Sequence, residues 1–173
     1  MKDFLQLASE RYSVRKFADK EVEQEKIDKI IEAAIKAPTA CNAQPFKIWV
    51  VKSEDAKNKV YKAGPSPFAG QAPVMIIVGA SSKEGWTRPF DNKRFADIDA
   101  SIVATHIMLE IHDLGLGTTW IGYFDDGVLK QEFEEMKDYS LIAIFPVGYI
   151  ADDCVPAKLH TEYKDKTVIV KEL

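Results

Sequence analysis

Residues 73–80 read PVMIIVGA, and this apolar run decides what kind of fold the sequence can form. It has no polar alternation and lies between a proline and a glycine, so it predicts a strand that is buried on both faces. Three further segments rich in β-branched and aromatic residues predict strands beside it: FKIWVV at 46–51, TTWIGYF at 118–124 and LIAIFPVGYI at 141–150. The core of the fold is therefore a sheet.

Helices are predicted between these strands, at 3–10, 21–38, 53–63, 96–114 and 127–136. The strongest signal is at 96–114, where apolar side chains occupy more than one face. That width predicts burial on several sides, in the core or at a subunit interface. Strands and helices alternate irregularly, so the class is α/β or α+β, with α+β preferred. A polar tail follows Asp152 and ends in TVIV, which predicts a short strand.

The composition limits the possible functions. The chain has 173 residues, 46% of them hydrophobic, which predicts a single domain spanning 1–173. Its formal net charge of -4 gives no overall attraction for nucleic acid. No apolar run approaches the roughly 20 residues of a membrane span, and MKDFLQLASE lacks the apolar centre of a signal peptide. The two cysteines suggest neither a disulfide framework nor a metal site, so a reducing cytoplasmic location is expected.

The segment RYSVRKF at 11–17 carries two arginines with a serine between them. One interpretation is a helix C-terminus decorated with cations, which the helix dipole favours. The other is an anion site, because in an extended segment Arg11, Ser13 and Arg15 project to one face, with Tyr12 and Val14 on the other. Guanidinium forks suit a phosphate or an electron-rich ring edge.

The segment APTACNAQPFK at 37–47 lies between a helix and a strand, with a proline near each end. Loops held by rigid elements often carry function. Asn42 and Gln44 offer amides that both donate and accept, which suits recognition of a heterocycle, although an ordinary polar turn has the same composition. Cys41 has no partner in the sequence that would activate it and is not predicted to react.

GLGTTWIGYF at 115–124 has two glycines before a predicted strand, which allows the backbone to approach a flat ligand closely. Trp120 is equally consistent with a core position. The histidines at 106, 112 and 160 lack zinc-ligand spacing, so no metal site is predicted. Asp97 and Asp99 lie at the start of the long helix, where capping is the favoured role.

These segments together resemble the nitroreductase family of flavoproteins along nearly the whole chain. RYSVRKF resembles its R-x-S-x-R-x-F opening, and APTACNAQPFKIWVV resembles its A-P-S-x-x-N-x-Q-P-W-x-F segment, with Thr39 for serine and Phe46 for tryptophan. The stretch 97–124 resembles its long helix followed by G-L-G and a strand, and FPVGYIADD its closing strand. No dinucleotide-binding or Walker glycine motif is present.

The resemblance implies a central, mostly antiparallel sheet flanked by helices, and an intertwined homodimer whose C-terminal tail reaches the partner subunit. It implies non-covalent FMN at the dimer interface, with Pro38 and Thr39 approaching the flavin of the other subunit. A tail lysine, Lys158 or Lys164, is expected at the phosphate. The implied cofactor-binding residues are Arg11, Tyr12, Ser13, Arg15, Pro38, Thr39, Asn42, Gln44, Trp120, Ile121, Gly122 and Lys158.

The implied activity is ping-pong transfer of hydride from NAD(P)H through flavin N5 to a nitro-aromatic, quinone or similar small-molecule acceptor. No side chain is expected to act as a catalytic group, since the flavin carries the chemistry. Three alternatives remain open: different flavin chemistry on the same fold, such as reductive dehalogenation or flavin destruction; an FMN store or redox sensor; and a domain without a cofactor.

Overall fold

The structure, a computed structural model, describes residues 3–173; the first two residues of the predicted domain and of MKDFLQLASE lie outside the described part. The helices are α1 (Phe4–Glu10), α2 (Gln24–Ile35), α3 (Glu54–Lys62), α4 (Ala96–Asp113), α5 (Asp126–Glu132) and α6 (Lys166–Ile169). The strands are β1 (Phe46–Val51), β2 (Val74–Ala80) and β3 (Ser140–Val147). Short 3-10 helices lie at Ala40–Asn42, Pro67–Gln71, Glu134–Met136 and Lys158–Thr161.

The three strands form one antiparallel sheet in the order β1-β2-β3. At one end of the sheet Phe46 pairs with Ala80, which pairs in turn with Ser140. At the other end Val74 pairs with Val147. The expected α+β class with an antiparallel sheet and helices is therefore confirmed.

Every residue of β2 is buried, as its unbroken apolar run predicts. Alternate side chains of the strand enter two different cores. Ile76 and Val78 pack with α2 and α4 on one face of the sheet. Met75 and Ile77 pack with α3 and α5 on the other. The sheet is thus covered by helices on both faces, and this fixes the positions of the loops at its two ends.

Three expectations were wrong. TTWIGYF does not form a regular strand and makes only isolated bridges, Ser13 with Thr118 and Ile121 with Ile144. TVIV belongs to the helical turn α6, where the Asp165 side chain accepts from the Thr167 N–H. The helix α4 begins after Phe95 and has no side-chain cap, so neither acidic residue of its first turn caps it.

Several large apolar side chains are exposed near the two ends of the described chain. Phe4 and Leu5 of α1 are more than two-thirds exposed, and so are Val155, Leu159 and Val168 of the tail. No helix within residues 3–173 has the length and apolar character needed to cross a membrane.

Candidate active site

The segment 11–15 is held in an extended conformation by pairing with the loop after α4. The Val14 N–H donates to the Thr118 carbonyl at 2.9 Å, and Ser13 and Thr118 form a parallel bridge. Val14 is 1% exposed and packs into a small core with Phe17. Since alternate residues of an extended segment face opposite ways, burial of Val14 turns its neighbours Ser13 and Arg15 outward.

Arg11, Ser13 and Arg15 line one cleft of about 400 Å³, as predicted, but Tyr12, expected on the other face with Val14, lines the same cleft. The remaining lining residues are Ala8, Tyr12, Ala157, Leu159, His160 and Tyr163. No carboxylate lines the cleft, and within residues 3–173 neither guanidinium forms an ion pair. Two permanent positive charges beside a hydroxyl, with no built-in counter-charge, make an anion site.

The tail closes this cleft through residues that the sequence did not single out. The His160 ring packs edge-on against Tyr12 with 6.0 Å between centroids, and the Tyr12 hydroxyl donates to the Cys154 carbonyl at 3.2 Å. Burial, followed by the proximity of Cys154, raises the pKa of Tyr12 above its ordinary value. Lys158 does not line the cleft: its side chain is 93% exposed and lies 4.0 Å from Glu162. Lys164 does not line it either.

Gly117 allows the segment 11–15 to lie this close to the loop after α4. A Cβ built at Gly117 falls 2.8 Å from side-chain carbons of both Val14 and Ile150, closer than packed carbons approach. The glycine also exchanges backbone hydrogen bonds with Gly148 at the end of the sheet. Gly117 was predicted to let the backbone approach a flat ligand closely. In the structure it makes room for the side chains of Val14 and Ile150 instead.

The second candidate segment, 38–44, is a tight loop with an unusual backbone. Cys41, Asn42 and Gln44 have φ of 53°, 53° and 50°, the left-handed region that non-glycine residues seldom occupy. The Gln44 N–H donates to Thr39 Oγ1 at 3.0 Å, and Gln44 Nε2 donates to Asn42 Oδ1 at 3.1 Å. This bonding holds the side chains of Asn42 and Gln44 together at the exposed tip, with Pro38 also exposed.

One buried side chain ties this loop to α4. Asp99, 2% exposed, accepts the Ala40 N–H on Oδ1 at 2.9 Å. Its Oδ2 is buried and has no hydrogen-bond partner among residues 3–173. The sequence pattern did not reveal this role, because nothing local connects two residues 59 positions apart.

The third candidate segment, Trp120–Gly122, lies between α4 and α5 and runs beside β3. The N–H and C=O of Ile121 both pair with Ile144 at 3.0 Å, and its side chain is buried. Trp120 is half-buried and packs edge-on against Phe145. Gly122 is exposed, and no other residue lies nearer to its Cβ position than Trp120 Nε1, at 4.0 Å. The open backbone of this segment is therefore at Gly122.

The cleft and the loop 38–44 lie at opposite ends of the sheet in one chain. The loop precedes Phe46, which is level with Ala80, whereas the cleft joins the end marked by Val147 through Gly117 and Gly148. The length of β2 between these ends is about 20 Å at roughly 3.4 Å per residue. No residue of the loop lines the cleft, and no backbone hydrogen bond within residues 3–173 joins the two segments.

Metal ligation has no structural basis in the described part of the chain, where no three His, Cys, Asp or Glu side chains cluster suitably. Cys41 and Cys154 are both free thiols.

Comparison with known proteins adds a consistent set of similarities. The sequence model of the nitroreductase family matches residues 8–66 and 59–149. A crystal structure of a nitroreductase family protein from Clostridium difficile 630 covers 98% of both chains with a TM-score of 0.89 and 34% identity. A protein of Methanothermobacter thermautotrophicus whose name includes NAD(P)H nitroreductase is 32% identical over 87% of this chain and 79% of its own. An FMN-dependent nitroreductase from Clostridium difficile R20291 is 27% identical over 94% of this chain and 99% of its own, with a TM-score of 0.73.

Proposed function

This chain belongs to the nitroreductase family, and from that premise we propose that it is an FMN-dependent oxidoreductase that passes hydride from NAD(P)H to a small-molecule acceptor. The observation that carries the proposal is the cleft of Arg11, Ser13 and Arg15, a cationic site free of carboxylates. Similar proteins support the cofactor, since one solved relative is named an FMN-dependent nitroreductase. The acceptor class, nitro-aromatics or quinones, is inferred from the family.

The residues at the cleft fit a flavin mononucleotide. An anionic cofactor with an electron-rich ring edge needs fixed positive charge and hydroxyl donors, which the two arginines and Ser13 supply. The hydroxyl of Thr118, the bridge partner of Ser13, is buried without a hydrogen-bond partner among residues 3–173, so a polar group remains to be satisfied here. His160 gives the tail a polar group at the same cleft, whereas a phosphate contact from Lys158 stays a prediction.

We further propose that the complete site forms between two copies of the chain. Asn42 and Gln44 are expected at the flavin ring, yet they lie at the far end of the sheet from the phosphate cleft of their own chain. In a homodimer the loop 38–44 of one copy lies against the cleft of the other. The exposed apolar side chains of α1 and the tail support this assembly, because a second copy that receives the tail buries them.

The bound flavin supplies the hydride chemistry, and the protein's own groups bind and orient it. Arg11 would hold the phosphate, while Ser13 and Arg15 would face the ribityl chain and pyrimidine edge, where the charge of Arg15 would favour the more negatively charged reduced form. Asn42 and Gln44 of the other copy read the donor and acceptor pattern of that edge. A main-chain N–H near Gly122 would offer a hydrogen-bond donor to the flavin N5. No side chain is assigned the role of a nucleophile or general base.

Residues 1–173 are proposed to act as one domain, located in the cytoplasm; the location rests on the cysteine usage alone. The alternatives separate by experiment. A flavin store or sensor holds FMN that NAD(P)H does not bleach. An enzyme of different flavin chemistry is bleached rapidly but turns over poorly with nitro-aromatic or quinone acceptors.

The test is the visible spectrum of the purified protein under argon. We expect the absorption bands of oxidised flavin, in the protein as isolated or after addition of FMN and gel filtration. Addition of NADH or NADPH bleaches these bands, and a quinone or nitro-aromatic restores them. Protein that stays colourless after incubation with FMN contradicts the proposal.

A further inference from the structure

Asp99 is a buried carboxylate. Neither the formation of α4 nor the proposed chemistry explains why an acid stands at this position. It lies in the first turns of α4 among Ala96, Ala100 and Val103, all buried in the main core. It caps no helix. One oxygen accepts a backbone N–H of the loop 38–44, and the other is buried without a partner among residues 3–173.

An unpartnered buried oxygen is unfavourable, and an apolar residue at this position of α4 avoids that cost. The chain nevertheless places an acid here, 98% removed from solvent. What the acid provides is one hydrogen bond to the Ala40 N–H. Within residues 3–173 this is the side-chain hydrogen bond that joins the loop 38–44 to another element.

The loop needs such an anchor. Three of its non-glycine residues, Cys41, Asn42 and Gln44, have positive φ, and backbone of this kind persists only where its surroundings hold it. The bonds from Gln44 to Thr39 and Asn42 act within the loop and leave its position free. The bond to Asp99 enters at Ala40, the first residue of the turn that carries Asn42.

We propose that Asp99 is a positioning residue, which holds the loop 38–44 in the strained conformation that presents Asn42 and Gln44 to the flavin. It acts through the loop and does not touch the cofactor. This inference rests on the proposed function, because the loop matters only if it contacts FMN.

The test is a double-mutant cycle on FMN affinity, measured by titration of the cofactor-free protein. We expect Asp99→Ala and Asn42→Ala each to weaken binding roughly tenfold, and the double variant to lose roughly tenfold as well, since residues acting through one contact are not additive. Asp99→Asn keeps an acceptor for the Ala40 N–H and stays within about threefold of the wild type. Asp97→Ala removes an exposed acid from the same turn and is the matched control, expected to bind as the wild type does.

A readout that simple destabilisation does not produce is the visible circular dichroism of FMN bound at saturation. Asp99→Ala changes this spectrum as Asn42→Ala does, while Asp99→Asn restores the wild-type spectrum. If Asp99→Ala does not fold, Ala40→Pro removes the donor itself at the first position of the 3-10 turn, where proline is accommodated, and is expected to weaken FMN binding equally.

Wild-type affinity in Asp99→Ala, a loss of roughly a hundredfold in the double variant, or an equal loss in Asp97→Ala each overturns the inference and leaves the proposed function standing. So does Asp99→Asn behaving as Asp99→Ala. A wild-type chain that fails to bind FMN overturns the proposed function and this inference together.

Discussion

At the scale of single residues, the cleft arises because one buried valine sets the direction of its neighbours. Val14 enters the core, so Ser13 and the arginines on either side turn toward the same cleft. Arg15 Cζ also lies 5.9 Å from the centroid of the Phe68 ring, a cation–π contact that does not neutralise its charge. The charge therefore remains available to a ligand.

The role of Arg15 is tested by Arg15→Ala. We expect FMN affinity to fall and the bound flavin to become harder to reduce, because a positive charge near the ring stabilises the reduced form. By analogy with donors in oxyanion sites the loss is about 2–4 kcal/mol. Titration with FMN and a redox titration measure the two effects. Lys16→Ala, next in the chain but exposed and paired with Asp153, is the control. An unchanged affinity and potential in Arg15→Ala contradict the role.

Gly117→Ala tests the close approach behind the cleft. The added methyl group meets Val14 and Ile150 at 2.8 Å, so we expect a loss of about 1–3 kcal/mol in the free energy of unfolding, as in overpacked cores. Gly122→Ala is the control, since no heavy atom lies nearer than 4.0 Å. Urea denaturation compares the three proteins, and equal stability of Gly117→Ala and the wild type contradicts the account.

The sequence predicts residues of this kind only where the pattern is local. The common side of Arg11, Ser13 and Arg15 follows from the period of an extended chain. His160 and Asp99 could not be predicted in the same way, because each meets its partner across a long stretch of chain. Tyr12 and His160, and likewise Ala40 and Asp99, become neighbours only in the folded molecule.

At the scale of elements, most helices and strands were predictable, and two segments of strand-like composition were not. β2 and α4 form as predicted, because a continuous apolar strand and a broad apolar helix are each stabilised by the same core. TTWIGYF has strand-like composition but pairs with Ser13 and Ile144 at single points, too few for a ladder. TVIV is β-branched, yet within residues 3–173 it pairs with no strand, and Asp165 caps a helical turn instead.

A hydrogen bond joins the start of α2 to the chain after β3, and its contribution to stability depends on pH. The Tyr149 hydroxyl donates to the Glu23 carboxylate at 2.8 Å. The pKa of Glu23 lies below its ordinary 4.5, first through a backbone hydrogen bond and then through Tyr149. Because the folded pKa is depressed, this contribution to stability is present above pH 4.5 and is lost as the pH falls through the folded value.

Tyr149→Phe is expected to raise the pKa of Glu23 toward the ordinary value and to reduce this acid-side loss. Carboxyl carbon NMR of Glu23 across the acid range measures the pKa directly. Tyr123→Phe, at a tyrosine 81% exposed, is the control and leaves Glu23 unchanged. A Glu23 pKa that does not move in Tyr149→Phe contradicts the assignment of the hydrogen bond.

At the scale of the whole molecule, one chain carries both parts of the candidate site but does not bring them together. The anion cleft lies at one end of the sheet and the loop 38–44 at the other. Exposed apolar side chains on α1 and the tail provide surface for a second copy. The resemblance of the sequence implied this exchange, but no pattern within a single chain specifies how two copies meet.

The most direct test of this arrangement is a mixed dimer of two differently tagged variants. One copy carries Arg11→Ala and Arg15→Ala, and the other carries Asn42→Ala and Gln44→Ala; each variant alone is expected to lose FMN. If the site forms between copies, the purified mixed dimer contains one intact site and one doubly impaired site, and it binds a single FMN with wild-type affinity. If it binds FMN no better than its parents, both halves of the site belong to one chain and the central claim is contradicted.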